Sequence, residues 1–173
     1  MNFYRPPEES IKVFLFYVYV IIYLGDNMNI KDVLEKGKLV FPDDRNIIFK
    51  SKQDVCDLFG IKTVKHGRQE LSFYKLNEEE RIWFVKESTE FENGYIDDFY
   101  RDYIKEIREN NPKGFVLDIL KSPNERRYVF LKTGSGYEFF GTYMLDIERT
   151  KESLETKLPT RYWNKISNEV VFK

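Results

Sequence analysis

Residues 127–146 read Arg127-Tyr-Val-Phe-Leu-Lys132, Thr133-Gly-Ser-Gly136 and Tyr137-Glu-Phe-Phe-Gly-Thr-Tyr-Met-Leu-Asp146. Two runs rich in β-branched and aromatic residues flank a four-residue Gly/Ser loop, a pattern typical of a β-hairpin. Gly141 interrupts the second run, which indicates a β-bulge or the close approach of another backbone segment. Apolar side chains recur at every second position of that run and predict one apolar strand face: Tyr137, Phe139, Tyr143 and Leu145.

The segments around this hairpin predict further short helices and strands. Asn29 and Ser51 are placed to cap helices, and Asp54 has the spacing of a capping box. Tyr95–Asn110 carries apolar residues at i, i+3, i+4 and i+7, so we expect an amphipathic helix there. Other apolar runs predict strands: Lys38–Phe41, Asn46–Phe49, Leu71–Leu76, Ile82–Val85, Phe115–Leu120 and Glu169–Phe172. The expected fold is α+β, with a curved, mainly antiparallel sheet or partly open barrel packed on one amphipathic helix.

Residues 1–27 differ in character from the rest of the chain and are interpreted as a hydrophobic N-terminal extension, with 28–173 as a single α+β domain. Val13–Leu24 is a run of twelve apolar residues, shorter than the about 20 that a bilayer-spanning helix needs. A buried strand, an upstream extension without a folded role and a membrane anchor are three open interpretations of this run. The anchor is the least favoured of them.

Charge and composition limit the kinds of partner. The chain has 28 Lys and Arg against 29 Asp and Glu, a net charge of -1, so any nucleic-acid contact must be local. It has no alanine and is rich in residues of A/T-rich codons, which indicates a bacterial or phage genome. The single cysteine, Cys56, excludes an internal disulfide and fits the reducing cytoplasm. With one histidine, His66, there is no Cys/His cluster for zinc.

Catalytic patterns are weak, so a non-enzymatic role is favoured. Asp146 with Glu155-Thr-Lys157 has the spacing of some metal-dependent nucleases. That chemistry needs the second acid on a neighbouring strand, whereas Thr150–Lys157 predicts a polar turn or helix. Ser135 has no assignable base, and no phosphate-binding glycine loop is present. We therefore assign no catalytic residue, metal ligand or cofactor.

Two short segments combine cations with groups that could contact nucleic acid. The segment 62–68 is cationic around a glycine and suits phosphate contacts, or is a solvated loop. The segment 161–165 joins two cations to two rings that could hold a flipped base. Trp163 has an alternative role in the core. The predicted nucleic-acid-binding residues are Lys62, Lys65, Arg68, Arg161, Tyr162, Trp163 and Lys165.

Scattered glycine, aromatic and apolar positions resemble a known class of domain. The matching parts are Phe59-Gly60, Gly67–Gln69, Ile82–Phe84, Tyr137–Asp146 and Arg161–Ser167. They resemble small α/β, PUA-like DNA-recognition domains found beside HNH nuclease domains in bacterial restriction-type proteins. The resemblance implies a nucleic-acid-binding module that reads modified bases in bacterial or phage defence. Cleavage is not implied, because an HNH motif needs several histidines. A protein–protein interaction module is the alternative, and a metal-dependent nuclease is less favoured still.

Overall fold

The computed structural model describes residues 30–62, 72–88, 90–91 and 94–172. Within these ranges the elements are, in chain order: α1 (Ile30–Lys36), β1 (Lys38–Val40), α2 (Lys52–Leu58), β2 (Phe73–Lys75), β3 (Glu80–Val85), β4 (Tyr95–Phe99), β5 (Tyr103–Arg108), α3 (Pro112–Ile119), β6 (Arg126–Lys132), β7 (Tyr137–Leu145), α4 (Ile147–Glu152), a 3₁₀ turn (Ser153–Glu155), β8 (Thr160–Ser167) and β9 (Glu169–Val171).

Seven strands form one sheet in the order β2-β3-β6-β7-β8-β5-β4, and β1 pairs with β9 in a separate ladder. Neighbours in the large sheet are antiparallel except β3 and β6, which are parallel. Strands β3, β4, β6 and β8 therefore run in the same direction. We call the end at which they finish, at Val85, Phe99, Lys132 and Ser167, the upper end. The α+β prediction with a mainly antiparallel sheet is confirmed.

The sheet curls around one of its faces. The rings of Trp83 on β3 and Trp163 on β8 lie 5.7 Å apart, although two strands separate β3 from β8. On a flat sheet three steps of about 4.8 Å would hold them much farther apart. We call this concave surface, lined by Trp83, Val129 and Trp163, the inner face. The opposite, outer face carries Phe130 and packs on α1, α2 and the β1–β9 ladder.

The helix predicted over Tyr95–Asn110 is wrong, because this segment forms the β4–β5 hairpin. Its tyrosines, phenylalanine and isoleucines have the spacing of an apolar helical stripe, but these residue types also favour strands. Pairing of β5 with β8 decides between the two, and it buries Ile104 completely. The strand predicted over Phe115–Leu120 is also wrong. Asn111 caps a helix there by accepting from the Gly114 amide, and Pro112 suits its first turn.

The central hairpin is confirmed, but the single apolar face predicted for β7 is not. Gly141 has φ +141° and sits where the β6–β7 register shifts. This bulge inserts a residue, so the side chains beyond it change faces. Phe139 packs in the outer-face core, whereas Tyr143 packs in the inner-face core. A Cβ at Gly141 would lie 3.2 Å from the Ser167 carbonyl oxygen, which also confirms the close approach of another backbone segment.

Other predictions had mixed outcomes. Ser51 and Asp54 form the expected capping box on α2. Asn46–Phe49 is not a strand, because only Phe49 bridges to the large sheet, at Tyr137. Residues 1–29 lie outside the described part of the chain, so the division into an extension and a domain stays a prediction. Among the described residues, no helix is long and apolar enough to cross a membrane.

Candidate nucleic-acid interface

The lower end of the inner face is filled by buried charged groups centred on Glu106. The Glu106 Oε2 atom accepts from the Arg127 Nη1 at 3.1 Å, the Trp163 Nε1 at 3.1 Å and the Arg161 Nη1 at 3.5 Å. Arg127 is only 4% exposed and Arg161 7%. A buried carboxylate balances two buried guanidinium groups at this point.

Arg127 is held on every side. Its Nε donates to Glu125 at 2.9 Å, and its guanidinium carbon lies 3.7 Å from the Trp163 ring centre and 4.6 Å from that of Trp83. Glu125 also accepts from the Arg81 Nε at 2.6 Å. Because charge pairs and ring stacking act together, this end of the inner face is rigid.

Helix α3 closes the lower end. The Arg161 guanidinium donates to the Phe115 carbonyl oxygen through its Nε at 3.0 Å and also through its Nη2. Burial lowers the pKa of Arg161, and the nearby Glu106 opposes that shift. Asp97, opposite Glu106 on β4, has a pKa well above its usual value because of burial and the Glu106 charge. Protein groups therefore fill the inner face at its lower end. A cavity of about 410 Å³ lies beside them, lined by residues of α3 together with Arg108 and Arg161.

The upper end of the inner face is different, because a single lysine lies among aromatic rings. The Lys165 Nζ donates to the Phe140 carbonyl at 2.9 Å and lies 4.3 Å from the Phe41 ring centre and 4.5 Å from that of Phe140. Burial lowers the pKa of Lys165 to about 8, and Asp102 opposes the shift. Phe99 packs on the same Phe140 ring at 5.4 Å and is partly exposed.

Two exposed cations also lie at the upper end of the sheet. Lys86 directly follows β3, and Arg101 lies in the β4–β5 turn; both are exposed. We call Lys86, Arg101 and Lys165 the basic rim. The acids Glu87 and Asp102 also lie at this end, so the rim is locally rather than uniformly positive.

Ser72 is the first described residue after the predicted cationic loop, and its carbonyl accepts from the Phe84 amide at 2.7 Å. Because Phe84 lies near the end of β3, Ser72 lies at the upper end of the sheet. Lys62 is exposed, whereas Lys65 and Arg68 lie outside the described residues. Phosphate contacts by these three cations stay a prediction.

The structure separates the predicted residues of 161–165. Arg161 and Trp163 converge on Glu106 in the core, which is the alternative role considered for Trp163. Tyr162 lies on the outer face, where the Arg149 guanidinium carbon is 4.1 Å from its ring centre. Only Lys165 is half-buried at the upper end of the inner face. A base could stack on Trp163 only if the core opened, so that role stays an untested prediction.

Sequence reasoning missed Lys86 and Arg101, because each is a single cation in its own segment and only strand pairing brings them to one end. It also missed the group around Glu106. One signal was available there, since Arg127 falls on a strand position that alternates with apolar residues.

No metal site emerges from the nuclease-like spacing. Asp146 caps α4 by accepting from the Arg149 amide at 3.1 Å, and it accepts from the Asn164 Nδ2 at 2.9 Å. Across the described ranges, no group of three or more His, Cys, Asp or Glu side chains could hold a metal ion.

Comparison with known proteins identifies the domain. No curated protein matches it. A solved structure, the 5-hydroxymethylcytosine-specific restriction enzyme AbaSI, has a similar fold: the TM-score is 0.59 at 18% identity, over 99% of this chain and 58% of that chain. The family described as SET and RING associated domain matches residues 33–172. That span covers most of the sequence and agrees with its resemblance to PUA-like DNA-recognition domains, so the chain belongs to the SET and RING associated domain family.

Proposed function

We propose that this domain binds duplex DNA at the upper end of its sheet and reads a modified cytosine there. The observation that carries the proposal is the family match over residues 33–172. The fold shared with AbaSI, an enzyme named for its specificity for 5-hydroxymethylcytosine, supports the choice of ligand. The chain spans only 58% of AbaSI, so cleavage is not carried over. We also propose that the domain acts in bacterial or phage defence.

The upper end of the inner face suits an extruded base. A protein that holds a flipped base needs a concave surface with aromatic side chains and a few hydrogen-bonding groups. Phe41 and Phe99 are partly exposed rings at this end, and Lys165 is a half-buried cation whose Nζ lies 4.3 Å from the Phe41 ring centre. A lysine is a donor only, and cytosine offers O2 and N3 as acceptors on its pairing edge. We assign base contact to Phe41, Phe99 and Lys165.

The basic rim supplies the charge that DNA binding requires. Lys86 and Arg101 are exposed and are assigned to backbone phosphates, together with the predicted Lys62, Lys65 and Arg68. Phosphate contacts position a protein on the duplex without selecting sequence. With a net charge of -1, the chain depends on this local group, so binding should be strongly salt-dependent.

The test is a fluorescence-anisotropy titration of three duplexes that differ at one position: cytosine, 5-methylcytosine or 5-hydroxymethylcytosine. We expect tighter binding to one modified duplex than to the unmodified one. A 2-aminopurine placed beside that position should brighten on binding, because extrusion of the neighbour unstacks it. Equal affinity for all three duplexes would refute modified-base reading while leaving DNA binding intact.

Paired variants locate the interface. The double variant Lys86→Ala with Arg101→Ala should reduce the slope of log affinity against log salt by about 0.9 for each phosphate that the protein no longer neutralises. Its matched control, Lys75→Ala with Lys113→Ala, removes two exposed cations from the lower end and should leave the slope unchanged. If folded protein binds none of the duplexes at low salt, the protein-interaction alternative is favoured instead.

A further inference from the structure

A second basic surface lies at the upper end of the sheet, on its outer side. It is a cavity of about 320 Å³ between residues 50–52 and the segment 132–137 that includes the β6–β7 loop. Three lysines line it, Lys50, Lys52 and Lys132, and none of the other described lining residues is acidic. In a chain with more acids than bases, three lysines at one cavity make this surface locally basic.

The two walls of the cavity are locked together by backbone hydrogen bonds. Phe49 and Tyr137 exchange two of them, each 2.8 Å long. Gly136 fits between them because it has no side chain: its φ is +156°, and a Cβ there would overlap the Phe49 carbonyl oxygen. The fold itself therefore holds the backbone of Lys50 and Lys52 beside that of Lys132, which pairs with Tyr137.

The β6–β7 loop is also ordered from within. The Thr133 amide donates to the Gly136 carbonyl at 2.8 Å, and the Ser135 amide lies 3.4 Å from the Thr133 Oγ1. The lining includes the hydroxyl groups of Ser51, Thr133 and Ser135. Hydroxyls and ammonium groups are both donors to phosphate oxygens.

The shape of the site gives room for a phosphate group with several waters, since one water takes about 30 Å³. Lys52 reaches the outer face, with its Nζ 5.5 Å from the Phe84 ring centre. The cavity is thus separated by the sheet from the Lys165 group on the inner face, although both lie at the upper end.

We propose that this cavity is a phosphate-binding site. Resting on the proposed function, its phosphate comes from the DNA backbone, so that the duplex contacts both sides of the upper end of the sheet. The base would be read on the inner face while the cavity holds a backbone phosphate on the outer side. A free phosphate or nucleotide offers the same chemistry, and the experiment separates the two sources.

The experiment compares two triple variants of the full chain. One carries Lys50→Ala, Lys52→Ala and Lys132→Ala; the control carries Lys75→Ala, Lys113→Ala and Lys157→Ala, which removes the same charge from exposed lower-end positions. We expect the salt slope of the cavity variant to fall by about 0.9 per phosphate contact removed and the control to match the wild type. Circular dichroism and a thermal transition establish that each variant is folded.

A second measurement reports on the cavity directly. Inorganic phosphate is titrated into ¹⁵N-labelled protein against chloride at equal ionic strength, and the amide signals of Gly134 and Ser135 are monitored. A saturable, phosphate-specific shift that disappears in the cavity variant supports the site, whatever the source of phosphate. A reduced salt slope with DNA in the cavity variant, absent from the control, identifies the DNA backbone as that source.

The outcomes separate this inference from the proposed function. If the wild type binds DNA and the two triple variants behave alike, with no phosphate-specific shift at Gly134 and Ser135, the cavity proposal is overturned and DNA binding stands. If no DNA binds but phosphate shifts those amides, the site is real and its ligand is a free phosphate. If neither DNA nor phosphate affects them, both ideas fail.

Discussion

The substitution Glu106→Gln is the most direct test of the buried charges at the lower end. One Glu106 oxygen accepts from Arg127, Arg161 and Trp163. The glutamine keeps the volume and an acceptor oxygen but removes the negative charge. Arg127 and Arg161, 4% and 7% exposed, then share a buried site without that negative charge, and water cannot solvate their guanidinium groups.

The size of the effect depends on how many partners the two guanidinium groups keep when the Glu106 charge is removed. Removing one partner of a buried ion pair typically costs about 3–5 kcal/mol. Arg127 still has Glu125 at 2.9 Å, and the Phe115 carbonyl still accepts from Arg161. Without the Glu106 charge the pKa of Asp97 also falls, so that Asp97 can supply part of the missing negative charge, and the lower value applies. We expect a decrease of about 3 kcal/mol in the free energy of unfolding, or roughly 6–12 °C in Tm for a chain of this size.

Urea unfolding monitored by tryptophan fluorescence measures the change, since Trp83 and Trp163 both flank Arg127. The control Glu148→Gln removes an acid whose side chain is 82% exposed and should cost under about 0.5 kcal/mol. Combined with Arg127→Met, Glu106→Gln should show a coupling of about 1 kcal/mol or more. A cost below about 1 kcal/mol for Glu106→Gln, or additivity of the pair, would refute the assigned role of Glu106.

Two further predictions use β8. Trp163→Ala should cost about 3–5 kcal/mol of stability because the ring is fully buried. Tyr162→Ala mainly removes the stacking of its ring on Arg149 and should cost about 1 kcal/mol. Near-equal costs in urea unfolding would contradict this placement of the two rings. For Lys165, the folded pKa of about 8 lies below the ordinary 10.5, so between these values the unfolded chain binds more protons and stability rises with pH. The stability of the wild type relative to Lys165→Met should therefore increase from pH 7.5 to 9.5, and a constant difference would show that Lys165 is not desolvated.

The elements that sequence reasoning predicted best are those fixed by local chemistry. The hairpin around 133–136 and the capping box at Ser51 need only neighbouring residues to form. The helix predicted over Tyr95–Asn110 was wrong because the apolar residues of this segment have helical spacing, whereas their residue types favour a strand. Only the pairing of β5 with β8, more than 50 residues later, decides between them.

The candidate site was harder to predict, for a related reason. The run Arg161-Tyr162-Trp163 is contiguous in sequence, but a strand sends alternate side chains to opposite faces. Tyr162 therefore stacks with Arg149 outside while its neighbours pack against Glu106 inside. Lys86 and Arg101, in contrast, are isolated cations in the sequence. They lie at the same end of the sheet only because β3 and β4 finish there.

In the proposed arrangement, stability depends on the lower end of the sheet and DNA recognition on the upper end, and this separation would let a chain of net charge -1 bind DNA. At the lower end, Arg127 and Arg161 are buried and pair with internal carboxylates. At the upper end, Lys50, Lys132 and Arg101 are exposed. Affinity for a polyanion depends on the cations that can release counterions at the contact, not on the sum over the chain. Variants at the two ends should therefore separate: Glu106→Gln lowers stability without changing the salt slope of the folded protein, and the cavity lysines change the slope without lowering stability.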